Sequence, residues 1–236
     1  MSPNNEISPL RRIWEQIGVD SLAAGIAMVP VFPALMLKSA QQQQIRMHSN
    51  MREIVQQSLM GAPYVAAAVG IQLYTQRQCQ DFLVEHYQLE KKHPMTTLLS
   101  CMAVGIASCP LLAIMNGLTT KTPPLESLHG LRPWPVVAII GRETTFVLSL
   151  KVNGMVGPLV KDRLGDSELA DRVTAFLSGA VMSALNHPAD TALTRWQKNL
   201  SMRDPRVWMR GSLVRSIAIG VFCATHAEVA KKLQTL

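Results

Sequence analysis

Three prolines, Pro33, Pro110 and Pro188, stand 77 and 78 residues apart in a chain of 236. Each closes an apolar run studded with small residues. Ala23, Ala24, Gly25 and Ala27 precede Pro33; Gly105, Ala107 and Ser108 precede Pro110; Gly179, Ala180, Ser183 and Ala184 precede Pro188. A period of this length predicts three equivalent units, and small residues let helix backbones approach closely. A proline inside a membrane helix removes one backbone hydrogen bond and bends the helix there. Pro33, Pro110 and Pro188 are therefore expected to be helix kinks at equivalent depths.

The third copy is the fullest. In residues 176–197, FLSGAVMSALNHPADTALTRWQ, Asp190 follows Pro188 by two places, Arg195 by seven and Gln197 by nine. An acid and a base just beyond a bend can face a shared interior instead of lipid. Taken alone, the stretch also suits the start of a soluble helix, with Asn186 as cap, Pro188 in the first turn and Asp190 against the dipole. In the first copy Lys38 and Gln42 follow Pro33, and Leu35 stands where the third has its acid. The second copy keeps only Pro110, with Leu112 and Met115 at the charged positions.

Uncharged stretches decide between a soluble and a membrane fold. Residues 94–120 and 54–76 run for 27 and 23 residues without a charge. A buried core helix of that length is rare, whereas a membrane span needs about 20 such residues. Shorter apolar segments cover 21–37, 134–150 (interrupted by Arg142 and Glu143), 173 onwards, and 216–225. That makes six segments in three pairs, the first of each pair ending in the proline. Residues 77–93, 121–133 and 161–172 are read as connections. Charge sorts with this topology. The stretches 39–60, 119–132 and 195–210 carry +6 together, and those on the opposite face carry 0. The positive-inside rule expects such a bias, and both termini then lie on the less basic face.

Composition narrows the remaining classes. The net charge of +7 invites nucleic acid, but no basic run has interleaved aromatics, so no nucleic-acid partner is expected. Cys79, Cys101, Cys109 and Cys223 have neither CxxC spacing nor histidines at ligand distance, so neither a disulfide frame nor a metal site is expected. The first twenty residues are mixed in charge and predict no cleavable signal. No Ser/His/Asp set, glycine-rich phosphate loop or paired-carboxylate site is visible, so the chain is read as a non-enzyme without cofactor. His187 and His226 are read as polar residues at helix bends and ends.

The combination of small residues, Pro188, Asp190, Arg195 and Gln197, with the proline period, resembles the mitochondrial carrier family over roughly residues 15 to 232. The resemblance implies an all-α membrane protein of six transmembrane helices, in three two-helix repeats around a pseudo-threefold axis. The repeats would fall at approximately 15–90, 91–165 and 166–236. It implies a multi-pass protein of a mitochondrial membrane, the inner one, moving a small anionic or zwitterionic metabolite through a central cavity by alternating access. Lipid contacts, with anionic lipids at the basic face, follow from the same picture. The chain departs from the family pattern at Leu35, Leu112, Met115 and Leu193, so three ion pairs cannot close the cavity. Of the family's motif on the second helix of each pair, only Glu228 and Lys231 remain, preceded by Ala227.

Two sets of residues follow. Lys38, Asp190, Arg195 and Gln197 are the expected remnant of the gate, with Asp190 paired to Lys38. Arg142 and Glu143 are the expected substrate contacts, because two charges inside an apolar span are costly unless they face water or each other. A self-paired Arg142–Glu143 that only orients its helix is the structural alternative. Arg215 either projects into the cavity as a further substrate contact or, as slightly favoured, snorkels to the basic face. The missing gate charges leave open a carrier-like membrane adaptor or scaffold without transport.

Overall fold

A computed structural model describes residues 9–47, 50–90 and 93–235; side chains are described for these residues apart from those of 9–13, 94 and 145–156. Among the described residues the regular structure is entirely helical. The long helices are α1 (Pro9–Gln43), α2 (Met51–Tyr87), α3 (Pro94–Thr119), α5 (Pro133–Leu164), α6 (Glu168–Leu185), α7 (His187–Gln197) and α8 (Ser212–Gln234). A six-residue helix, α4 (Pro124–His129), and a short 3-10 turn, Pro205–Val207, lie in the loops.

Four helical stretches, 14–43, 51–87, 95–119 and 205–234, are long and apolar enough to cross a membrane. The apolar windows underestimate the helices. Residues 77–87, read as connection, continue α2, and 161–164 continue α5. Polar side chains at a span's ends can reach water while the backbone keeps its internal hydrogen bonds, so hydropathy stops before the helix does.

Packing follows chain order: α1 on α2, α2 on α3, α3 on α5, α5 on α6, α6 on α8, and α8 back on α1. The last helix thus closes on the first. Small residues allow this closeness. A Cβ on Gly179 would meet the Ile219 carbonyl oxygen at 2.9 Å, and one on Gly220 would meet that of Phe176 at 2.9 Å. The α6–α8 seam is therefore a backbone-to-backbone contact, the packing that replaces hydrophobic burial inside lipid.

Side-chain bonds sort the two ends of the bundle. At one end Lys121 pairs with Glu53 at 2.8 Å, and Arg132 reaches Asn199 at 3.5 Å, so the loops carrying the excess positive charge are gathered together. At the other, Gln234 donates to Gln16 at 3.0 Å, Lys231 pairs with Glu168 at 2.8 Å and Arg172 with Glu228 at 3.3 Å. The described start of α1 and the end of α8 accordingly lie at one end. Two apolar clusters fill the middle, one around Phe32 and Met28 of α1, the other around Ile139 of α5 and Leu193 of α7.

Candidate functional site

The three prolines are treated differently by the fold. Pro33 and Pro110 lie within uninterrupted α1 and α3, whereas the helix before Pro188 stops at Leu185 and restarts at His187. Asn186 sits between them, outside the helical region at φ −91° and ψ 3°. A helix end leaves its last carbonyls without internal partners. Here the guanidinium of Arg215, from the first turn of α8, takes over: Nη1 donates to the Ser183 carbonyl oxygen at 2.6 Å and to Oδ1 of Asn186. A cation at a helix C-terminus and an acid at an N-terminus both suit the helix dipole, and Asp190 occupies the first turn of α7. The break thus places Arg215 and Asp190 face to face. Gly211, which leads into α8 with φ +79°, lies so close to α1 that a Cβ would stand 3.1 Å from the Lys38 carbonyl oxygen.

Asp190 is the hub. Its Oδ2 lies 2.9 Å from Lys38 Nζ of α1 and 3.4 Å from Arg215 Nε, and accepts from Gln42 Nε2 at 3.1 Å. Its Oδ1 lies 3.5 Å from Arg142 Nη1 of α5. Gln42 also donates to Thr191 Oγ1 at 2.9 Å. Arg142 Nε donates to Glu143 Oε1 at 2.7 Å, and the other Glu143 oxygen accepts from Gln72 of α2 at 2.8 Å. The five charged side chains are no more than 7% exposed. They share a cavity of ≈ 110 Å³ whose remaining wall is mainly apolar, including Met28, Val65, Leu112 and Phe222.

The expected residues therefore divide. Lys38, Asp190, Arg142, Glu143 and Arg215 come together around one cavity. Arg215 does not snorkel: it is 6% exposed and spans the α6–α7 break. Arg142 and Glu143 do pair with each other, but each also binds another helix, so the pair is not a closed unit. Arg195 stands apart. Its Nε donates to the Ser201 carbonyl oxygen and its Nη1 to that of Gln42, each at 2.7 Å, with no carboxylate within ion-pair distance among the described residues. It fastens the loop after α7 to the end of α1. Gln197 accepts from Asn116 Nδ2 at 2.6 Å and donates to the Ala113 carbonyl oxygen at 3.3 Å, tying α7 to α3. His187 donates to the Arg210 carbonyl oxygen at 3.0 Å, and His226 to that of Asp20 at 3.1 Å.

At this depth α1, α3 and α7 are held by unlike contacts. The α1–α7 side has the Lys38–Asp190 ion pair. The α1–α3 side has a hydroxyl pair, Ser39–Thr119 at 2.8 Å, and the α3–α7 side has Asn116–Gln197. Neutral polar residues thus stand beside the positions where Leu112 and Met115 replace charges. Sequence reasoning missed Ser39, Asn116 and Thr119, whose types are common in apolar helices. It also missed Gln72, although an amide late in a 23-residue uncharged stretch is a signal, because it needs an internal partner there.

Among the described residues no group of three or more His, Cys, Asp or Glu side chains is arranged to hold a metal. What the arrangement can do is bind: three cations and two acids, all buried, around a space of a few waters. No family model, curated protein or solved structure matches the chain.

Proposed function

We propose that the chain is a transporter of mitochondrial-carrier type, moving a small anionic or zwitterionic metabolite through the cavity between its helices. In this reading six spans, the fifth being α6 with α7, form three pairs around a pseudo-threefold axis in the mitochondrial inner membrane. Arg142, Glu143 and Arg215 contact the solute, and the Lys38–Asp190 pair with Gln42 closes the side of the basic loops. Anionic lipid headgroups would meet those loops. The chain does no covalent chemistry.

One observation carries this reading. Five ionisable side chains from α1, α5, α7 and α8 converge on a cavity inside a bundle of apolar helices. Charges in such a place are costly, and they mark solute or ion pathways when they face a shared cavity. Gate and contact residues lie within one cluster, which gives a bound solute a direct route to the contact that closes the bundle.

The neutral Ser39–Thr119 and Asn116–Gln197 contacts favour a second reading, a carrier-like adaptor or scaffold without transport. Reconstitution into liposomes with labelled metabolites, comparing wild type with Arg142→Lys, separates the two. Lysine keeps the charge but cannot make two-pronged contact with a carboxylate or phosphate. In the transporter, uptake falls sharply in Arg142→Lys while the protein still inserts and folds. Absence of uptake for every solute, together with a cellular effect that survives Arg142→Ala, would establish the adaptor.

A further inference from the structure

We infer that the central cavity takes a small monocarboxylate with an apolar remainder. This deepens the transport reading and rests on it, naming the class of solute. The first argument is charge. Among the described residues the cavity is faced by three cations, Lys38, Arg142 and Arg215, and two acids, Glu143 and Asp190, a sum of +1. An uncompensated charge away from water is expensive. A ligand with one negative charge neutralises the cluster. A neutral or zwitterionic ligand leaves it at +1, and a dianion carries it to −1.

The second argument is geometry. Charge-assisted N–H···O bonds usually close to about 2.7–2.9 Å. Lys38 closes on Asp190 at 2.9 Å, Arg142 Nε on Glu143 at 2.7 Å, and Arg215 Nη1 on the Ser183 carbonyl and Asn186, but both guanidinium groups reach Asp190 only at 3.5 and 3.4 Å. The remaining N–H groups of each guanidinium, beyond Arg142 Nε and Arg215 Nη1, therefore retain capacity for a closer acceptor such as a second carboxylate. The third argument is the wall. Met28, Val65, Leu112, Ile219 and Phe222 line the same space, so the part of the ligand beyond its carboxylate meets hydrocarbon. A second charge at that end would be buried without a partner. A space of ≈ 110 Å³ suits a short chain.

Four molecules with one four-carbon skeleton test this: butyrate, succinate, butyramide and 4-aminobutanoate. Binding to the purified full-length chain in detergent is measured by competition with labelled butyrate and by thermal shift, at fixed ionic strength. Butyrate should bind and raise the melting temperature; butyramide, which loses the charge-assisted contact, and succinate and 4-aminobutanoate, which carry a second charge to the hydrocarbon wall, should each be weaker by about tenfold or more. Glu143→Gln keeps side-chain volume but takes the cavity to +2, and should narrow the preference for butyrate over succinate, the apolar wall still opposing the second carboxylate. Asp190→Asn makes the same change on another helix and serves if Glu143→Gln fails to fold.

Butyramide or 4-aminobutanoate binding as well as butyrate would overturn the inference. So would a preference for butyrate over succinate that is undiminished in both variants. Uptake of the four by proteoliposomes separates this from the transport reading. Butyrate binding without uptake keeps the site and removes transport. Uptake of a solute from another charge class, with no butyrate binding, removes the site and keeps transport. If none of the four binds, the inference fails whatever is transported.

Discussion

Replacing Asp190 by asparagine keeps the side-chain volume and removes one negative charge from the centre of the bundle. An exposed ion pair contributes about 1 kcal/mol or less. That scale does not apply here, because the Lys38 and Asp190 side chains are 3% and 4% exposed. The carboxylate faces three cations, so Asp190→Asn raises the buried sum from +1 to +2. Breaking a buried pair on one side typically costs about 3–5 kcal/mol, and we expect a loss in that range. Adding Lys38→Met returns the sum to +1. The double variant should recover about 2 kcal/mol relative to Asp190→Asn alone, within the usual coupling of contacting residues. Exchanging the charges, Lys38→Asp with Asp190→Lys, should recover little, since the new lysine would face Arg142 and Arg215. Unfolding by SDS in mixed micelles, followed by helical circular dichroism, measures the three variants against the wild type. Full rescue by the exchange would mean that Asp190 serves Lys38 alone. A double variant no better than Asp190→Asn would mean that charge imbalance is not the source of the loss.

Other perturbations read other contacts. Gly220→Ala pushes a Cβ into the Phe176 backbone and should destabilise the protein by about 1–3 kcal/mol, whereas Gly18→Ala, with open space around it, should stabilise it by about 0.5–1 kcal/mol; thermal unfolding compares them. Arg195→Gln should release the loop after α7, raising amide exchange over residues 198–203 while leaving butyrate binding unchanged. Single cysteines at 40–50 and 198–206 should react with impermeant thiol reagents from the same side of the bilayer; labelling from opposite sides would break the proposed topology.

Part of this architecture was legible because membrane burial punishes polarity. Against uncharged runs, Lys38, Arg142, Glu143 and Asp190 stand out, and a proline repeating every 77 or 78 residues raises the expectation of equivalent helices. The unequal fate of those prolines was hidden. What distinguishes Pro188 is Arg215, which is distant in sequence and supplies a partner for the Ser183 carbonyl at the helix break. The partners of Arg195 were hidden for a similar reason: its acceptors are backbone carbonyls, which leave no trace in side-chain identity. Helix ends were illegible because hydropathy reports the thickness of an apolar environment, whereas α2 and α5 run on into polar sequence. The resemblance left one expected ion pair, Lys38–Asp190; the neutral pairs Ser39–Thr119 and Asn116–Gln197 that join the other two sides of α1, α3 and α7 carry no sign by which to find their partners.

The odd charge of the Lys38, Arg142, Arg215, Glu143 and Asp190 cluster has an electrical consequence. In a transporter built on it, the empty site presents +1 to the membrane field as it turns from one face to the other, and the site filled by a monoanion presents nothing. A full crossing of one charge is weighted by about 2.3 kcal/mol per 100 mV. The loaded turn is then indifferent to voltage, while the empty turn runs downhill in one direction and uphill in the other. Such a molecule swaps one anion for another without current and resists returning empty against the field. Currents recorded across a bilayer should appear only when solute is supplied to one side alone.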